Sequence, residues 1–195
     1  MLWKRVDPSE KSDLRRRLRA LRAELALARP DAAERAVAHL PMGRLPALAG
    51  FSGYRAMGSE LDPSPLIRHL AETGAIFALP ALKDAEAPLE FRVWDPHDHL
   101  VPDQAGVPSP PPHAPLIHPD LVIAPLLAFD RRGGRLGQGG GHYDRTLQAL
   151  RAHRPVFVLG LAYAGQEVDE VPCEPHDQRL DAILTENGYM AVETN

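Results

Sequence analysis

Two continuous apolar runs flanking one amphipathic segment constrain this chain more than any other feature. Leu121 to Phe129 and Pro155 to Ala162 are apolar throughout, and Tyr143 to Ala152 between them reads as a helix. Short apolar runs bounded by turn residues suit strands buried on both faces. Strand, helix, strand is the βαβ unit, which predicts a largely parallel sheet with helices on its faces. The class is therefore α/β. Ligands of such sheets sit beyond the carboxyl ends of the strands. A glycine-rich segment follows the Leu121 strand at that end.

The remaining elements fit that frame. A first helix is expected from Ser12 to Arg29, with Leu14, Leu18, Leu21 and Leu25 on one face and Arg15, Arg19 and Arg22 on a neighbouring one. Pro30 ends it, and Asp31 is placed to cap a second helix running through His39. Ala47 to Tyr54 reads as a strand, Pro65 to Glu72 as a helix closed by Gly74, and Ala75 to Leu79 as a strand stopped by Pro80. Leu89 to Trp94 alternates as a half-exposed strand does, and Ala182 to Thr185 is a short buried one. Pro102 to Pro125 holds eight prolines, too many for helix or central strand. An ordered surface connection is expected there, with an interdomain linker as the competing reading. At 195 residues the chain suits a single domain.

Charge and cysteine content narrow the function classes. The net charge of -4 argues against non-specific nucleic-acid binding, which needs a dense basic surface. It leaves room for a local basic pocket: Lys4, Arg5, Lys11, Arg15, Arg16, Arg17, Arg19 and Arg22 crowd the first segment. Cys173 is the single cysteine, so neither an internal disulfide nor a cysteine zinc cage is available. Met1 to Glu10 has no apolar signal core, and no run approaches the ~20 apolar residues of a membrane span. The expectation is a cytoplasmic monomer acting on small molecules, without a nucleic-acid or membrane partner.

The segment Phe129 to Arg145 carries the chemistry. Its six glycines, Gly133, Gly134, Gly137, Gly139, Gly140 and Gly141, are costly to order. Such a run suits a backbone that approaches a ligand closely and turns its N–H groups toward it. A polyphosphate fits, because successive amides and a helix N-terminus both favour an anion. The string is neither a Walker A loop nor the dinucleotide fingerprint: no Gly-Lys-Ser/Thr follows, and His142 stands where the latter needs glycine. A plain surface loop is the bland alternative. Arg135, a charge for phosphate, and Asp144, a hard oxygen ligand for magnesium, weigh against it.

These residues resemble the signature of the 5-formyltetrahydrofolate cyclo-ligases, in which an apolar strand ends in Phe-Asp before a glycine-rich turn, an aromatic, Tyr and Asp. Here it reads Phe129 and Asp130, then Gly134, Arg135, Leu136, Gly137, Gln138, Gly139, Gly140 and Gly141, then His142, Tyr143 and Asp144. The resemblance spans nearly the whole chain. Lys11 and Arg15 match a Lys-x-x-x-Arg helix, and Tyr54 with Glu60, Leu61 and Asp62 matches a Tyr strand followed by Glu-x-Asp. Leu79 with Pro80, Phe91 to Trp94, and Pro172, Glu174, Asp177, Asp181, Thr185 and Glu186 match later blocks.

The resemblance implies a three-layer α/β/α sandwich and an enzyme converting 5-formyltetrahydrofolate and ATP to 5,10-methenyltetrahydrofolate, ADP and phosphate with Mg2+. By that likeness Lys11, Arg15, Arg135 and the backbone from Gly134 to Tyr143 hold ATP phosphates. Asp144 and Asp177 hold the metal, directly or through water. Glu60 binds the pterin, while Tyr54, Trp94 and Tyr143 line the folate pocket. Arg135 would act on the transferred phosphoryl group. Phosphorylating the formyl oxygen makes it a leaving group for attack by N10, and such transfer needs charge neutralisation more than a covalent catalyst. Three departures stand out. His142 replaces the usual Tyr or Phe, and Gln138 and Gly140 occupy positions that are basic in some relatives, which reduces the charge facing the phosphates.

Blander readings stay in view. Lys11 and Arg15 on a basic helix can be a solvated face. His97 and His99 lack a third metal ligand at a telling spacing, and Cys173, His176 and Asp177 lie too close in sequence for a triad. A folate- or nucleotide-binding relative without turnover, and another enzyme such as a sugar-phosphate isomerase on a similar scaffold, are the competing functions.

Overall fold

The computed structural model describes residues 8–192, so Lys4 and Arg5 lie outside the described residues. In chain order the helices are α1 (Pro8–Ala28), α2 (Ala32–Ala38), α3 (Ser64–Ala71) and α4 (His142–His153). The strands are β1 (Gly50–Ser52), β2 (Ile76–Ala81), β3 (Glu90–Val93), β4 (Val101–Pro102), β5 (Pro108–Ser109), β6 (Leu121–Ala124), β7 (Ala128–Phe129), β8 (Arg135–Leu136), β9 (Phe157–Leu161), β10 (Ala182–Thr185) and β11 (Gly188–Ala191). Short 3-10 turns span Met42–Arg44 and Ala164–Gln166.

Seven strands form the central sheet in the order β11-β10-β9-β6-β1-β2-β3. The five inner strands run parallel, and the edge strands β11 and β3 run antiparallel. Side chains alternate across it. Leu121 and Ile123 pack with Ala32 and Ala36 of α2 and Leu66 and Leu70 of α3 on one face. Val122 and Ala124 pack with Leu147 of α4 on the other. All four β6 residues are fully buried, and each large apolar side chain of this kind stabilises by about 1.5–3 kcal/mol. The result is the expected α/β architecture, with helices on both faces of a mostly parallel sheet.

Local departures from the sequence reading have physical causes. The run from Leu121 to Phe129 is not one strand. Pro125 offers no N–H to the ladder, so β6 ends at Ala124, and Ala128 and Phe129 turn away to pair with Leu136 and Arg135. Pro80, by contrast, lies inside β2. Ile76 donates to Ala49 and Gly53 donates to the carbonyl of Ala78, so alternate residues of β2 face β1. Pro80 comes next in that series, past the last β1 pairing, where no N–H is needed.

Helix α1 begins earlier than expected, with Pro8 suited to its first turn. Its inward face is also rotated: Leu21 is 37% exposed while Arg22 is only 4% exposed. Asp31 precedes α2 without a side-chain capping bond. The proline-rich connection is tied down by Asp103, whose carboxylate accepts the amides of Ala105, Val107 and Leu82, and by Arg92, which donates to the carbonyl of Ala114. No described helix is long and apolar enough to cross a membrane.

Candidate active site

Strand order reverses between β1 and β6: the chain moves outward from β1 to β2 on one side and from β6 to β9 on the other. Loops leaving the carboxyl ends of such neighbours diverge and leave a crevice. A cleft of about 520 Å³ opens there, of the size that takes a small-molecule ligand. Tyr54 and Glu60 reach it from the loop after β1, and Pro125 and Leu126 from the loop after β6. The glycine segment forms another wall. Helix α1 lies along the cleft and contributes Lys11 and Arg15.

The first part of the glycine segment is a hairpin built around Asp130. This carboxylate is 3% exposed and accepts the amides of Arg132, Gly134 and Val171 at 2.9, 2.9 and 2.8 Å. A Cβ on Gly134 would stand 2.6 Å from Asp130 Oδ2, so glycine is demanded by close approach there. The Gly134 amide is thus spent inside the protein, and Gly134 lies outside the cleft, contrary to the expectation that it faces phosphate. The stretch from Arg135 through Tyr143 does line the cleft, with Leu136, Gly137, Gln138, Gly139, Gly140, Gly141 and His142 between them. Gly141 takes φ 65° to start α4, and no side chain caps that helix. An uncapped helix N-terminus suits an anion.

Charged groups converge on this wall. Arg15 Nε donates to the carbonyl of Gly137 at 3.2 Å, and Arg19 Nε donates to Gln138 Oε1 at 2.9 Å. Lys11 Nζ pairs with Glu174 at 2.5 Å. Arg135 is 8% exposed and is gripped from two sides: it donates to the carbonyl of Gln178 and, at 2.6 Å, to Asp144 Oδ1. Burial pulls its guanidinium below the ordinary arginine value, opposed by Asp144 and Asp177. A charge so desolvated interacts more strongly with an approaching anion.

The carboxylates set the metal question. Asp144 Oδ1 accepts from both Arg135 and the Gln178 amide, while Asp177 Oδ2 accepts the Glu174 amide. Both line the cleft. No group of three or more potential metal-holding side chains occurs among the described residues. Asp144 and Asp177 are hard oxygen donors of the kind that bind Mg2+ together with phosphate and water.

Aromatic side chains line the cleft too. Tyr54 donates its hydroxyl to the carbonyl of Leu61, and burial holds that phenol well above its ordinary pKa. The Tyr143 hydroxyl is buried without a partner among the described residues, and burial followed by the nearby Glu60 raises its pKa also. Both rings stay neutral donors. Burial and the adjacent Arg145 lower the pKa of His142, which favours its neutral form.

The family model for the 5-formyltetrahydrofolate cyclo-ligase family matches residues 7–186. The chain belongs to that family of enzymes. The 5-formyltetrahydrofolate cyclo-ligase of Mycolicibacterium smegmatis is 33% identical over 201 residues, covering 96% of this chain and 100% of that protein. That of Escherichia coli K12 is 37% identical over 137 residues, covering 68% and 75%. The solution structure of 5,10-methenyltetrahydrofolate synthetase from Aquifex aeolicus shares the fold, with a TM-score of 0.76 at 23% identity over 95% of this chain and 94% of that one.

Against this family frame, one expected folate-pocket residue is misplaced. Trp94 is absent from the cleft lining and packs edge-on against Phe77 with ring centres 6.0 Å apart. The cause is topological. β3 runs antiparallel to β2, so Trp94 after its end emerges beside Phe77, near the amino end of β2. Leu89, before β3, reaches the cleft instead, joined by Leu82 and by Val107 from the β4–β5 hairpin. Burial and then Asp177 push the Cys173 thiol up to about 11, which disfavours its thiolate. The residue that sequence reasoning missed is Arg22, whose guanidinium is buried against Glu60. Its place in the i, i+4, i+7, i+11 series from Lys11 through Arg15 and Leu18 was the available signal.

Proposed function

We propose that this chain closes the ring of 5-formyltetrahydrofolate to give 5,10-methenyltetrahydrofolate, consuming ATP with Mg2+ and releasing ADP and phosphate. Family membership supports the overall reaction. The observation that carries the ATP-dependent form is that one cleft is lined both by Lys11, Arg15, Arg135 and the glycine stretch and by Tyr54, Glu60 and Tyr143.

The glycine wall suits the triphosphate. Lys11, Arg15 and Arg135 neutralise its charge, and the first-turn amides of α4 receive phosphate oxygens. Asp144 and Asp177 would hold Mg2+, which supplies further charge neutralisation when bound. The aromatic lining suits the folate, with Glu60 accepting from pterin N–H groups and Tyr54 and Tyr143 against its rings. The formyl oxygen then attacks the γ-phosphorus as the bond to ADP breaks. N10 adds to the activated carbon and loses its proton, and the C–O bond to phosphate breaks. Arg135, fixed by Gln178 and Asp144, stays aligned on the transferring group without reorganising. The chain would work as a cytoplasmic monomer.

The test is growth of the methenyl absorption band on mixing folded protein with 5-formyltetrahydrofolate and Mg2+, with and without ATP. ATP-dependent growth matched by ADP is expected. Binding of both ligands without turnover would indicate a silent relative, and growth without ADP release would overturn the phosphorylation step.

A further inference from the structure

Arg22 is the one cation of α1 that is shut away from solvent, and nothing in the reaction as described uses it. Its guanidinium has three partners. Nε donates to Ser59 Oγ at 3.2 Å, and Nη1 donates both to Glu60 Oε1 at 3.4 Å and to the carbonyl of Leu126 at 3.3 Å. Ser59 and Glu60 follow β1, whereas Leu126 follows β6. One side chain from a third element therefore joins the two lips of the crevice where strand order reverses.

The neighbours make this joint specific. The other Glu60 oxygen accepts the Met57 amide at 3.0 Å, so the carboxylate is held from both sides. The Leu126 carbonyl also accepts from Gln166, which is itself 1% exposed. Side chains of Arg22 and Glu60 are 5% and 10% exposed. A buried cation needs its partners: Nη1 alone spans the two lips while Nε adds Ser59, and a lysine, with one nitrogen, cannot keep all three bonds in that geometry.

We propose that Arg22 is the positioning residue for substrate recognition: it orients Glu60 and fixes the spacing between the β1 and β6 loops at the cleft. This rests on the reading of Glu60 as a folate ligand. Arg22 touches no substrate and acts through Glu60, so its effect should fall on the folate and spare the nucleotide. Lys11 and Arg15, about three and two turns away on the same helix, are read as nucleotide ligands.

Binding titrations keep this separate from turnover. Isothermal titration of 5-formyltetrahydrofolate alone, and of ATP with Mg2+ alone, would compare the wild-type chain with Arg22→Lys, Glu60→Gln and the double variant. Arg22→Lys should weaken the formylfolate Kd by about ten- to a hundredfold, the range for a hydrogen bond to a charged group. ATP affinity should stay within about twofold, and the double variant should bind formylfolate no worse than Glu60→Gln, as coupled neighbours do. Equal weakening of both ligands would mark Arg22 as merely structural and overturn the proposal. An unchanged formylfolate Kd in Arg22→Lys, with a weakened one in Glu60→Gln, would overturn the proposal and leave the role of Glu60 standing. An unchanged Kd in Glu60→Gln would sink the role of Glu60 and the proposal together.

Discussion

Replacing Asp144 by Asn separates chemistry from stability. In the native chain Asp144 Oδ1 accepts from Arg135 at 2.6 Å and from the Gln178 amide at 2.9 Å. An amide oxygen can keep both acceptor roles, so what is lost is charge. The Arg135 side chain is 4% exposed and that of Asp144 24%, which makes the pair partly screened. Breaking it should cost about 1–2 kcal/mol, below the value for a fully buried pair. For a chain of this length each kcal/mol lowers Tm by about 2–4 °C, so a fall of about 2–8 °C is expected. Against a total of about 5–15 kcal/mol the protein stays folded at 25 °C. Turnover should fall much further, by about 100- to 1000-fold, because the proposed Mg2+ ligand and the alignment of Arg135 are both weakened. Thermal melts and the methenyl-band assay on the same preparation measure the two losses. Activity falling only in proportion to the folded fraction would refute the metal-ligand role.

Three further outcomes follow from the geometry. Gly134→Ala should lower Tm by several degrees, at about 1–3 kcal/mol for forced overpacking, since the new Cβ meets Asp130 Oδ2 at 2.6 Å and Asp130 is pinned by three amides; an unchanged melt would show that the hairpin can give. Trp94→Ala should leave the KM for formylfolate within about twofold, because the ring packs on Phe77 away from the cleft; a KM raised more than tenfold would put the folate over Trp94. Because burial and Arg145 hold the His142 pKa below its ordinary 6.5, the unfolded chain binds the extra proton first. Its contribution to stability is therefore present above about pH 6.5 and lost as pH falls through the depressed value, so Tm against pH should flatten on that acid side in His142→Gln, and an unchanged profile would reject the assignment.

Much of the frame was legible from pattern alone. The span of β10, from Ala182 to Thr185, was read to the residue, and α4 was read within a residue at each end, because unbroken apolar runs and a glycine before a helix are local signals. The cationic wall was legible too, since Lys11, Arg15, Arg135 and Asp144 do meet in one cleft. What failed depended on contacts between distant segments. Periodicity put Leu21 and Arg22 on adjacent faces of α1 but could not say that Glu60 and Leu126 wait behind the arginine. Reading β3 as a strand could not reveal its direction, and direction alone removes Trp94 from the site. Glycine density suggested amides free for a ligand, but Asp130 claims the one at Gly134.

Helix α1 has a consequence for how the molecule is assembled. It is seated by Leu14 and Leu18 against Leu127, Leu136 and Val171 and tied to the cleft by polar side chains, with Lys11 meeting Glu174 across 163 residues of chain. Closing so long a span adds entropy cost, which grows slowly with loop length, and non-local contacts of this kind slow folding. A triphosphate clasped between Lys11, Arg15 and the glycine wall would hold that helix shut in proportion to its own occupancy. Nucleotide supply would then set how long the first helix stays docked, as well as how fast the ring is closed.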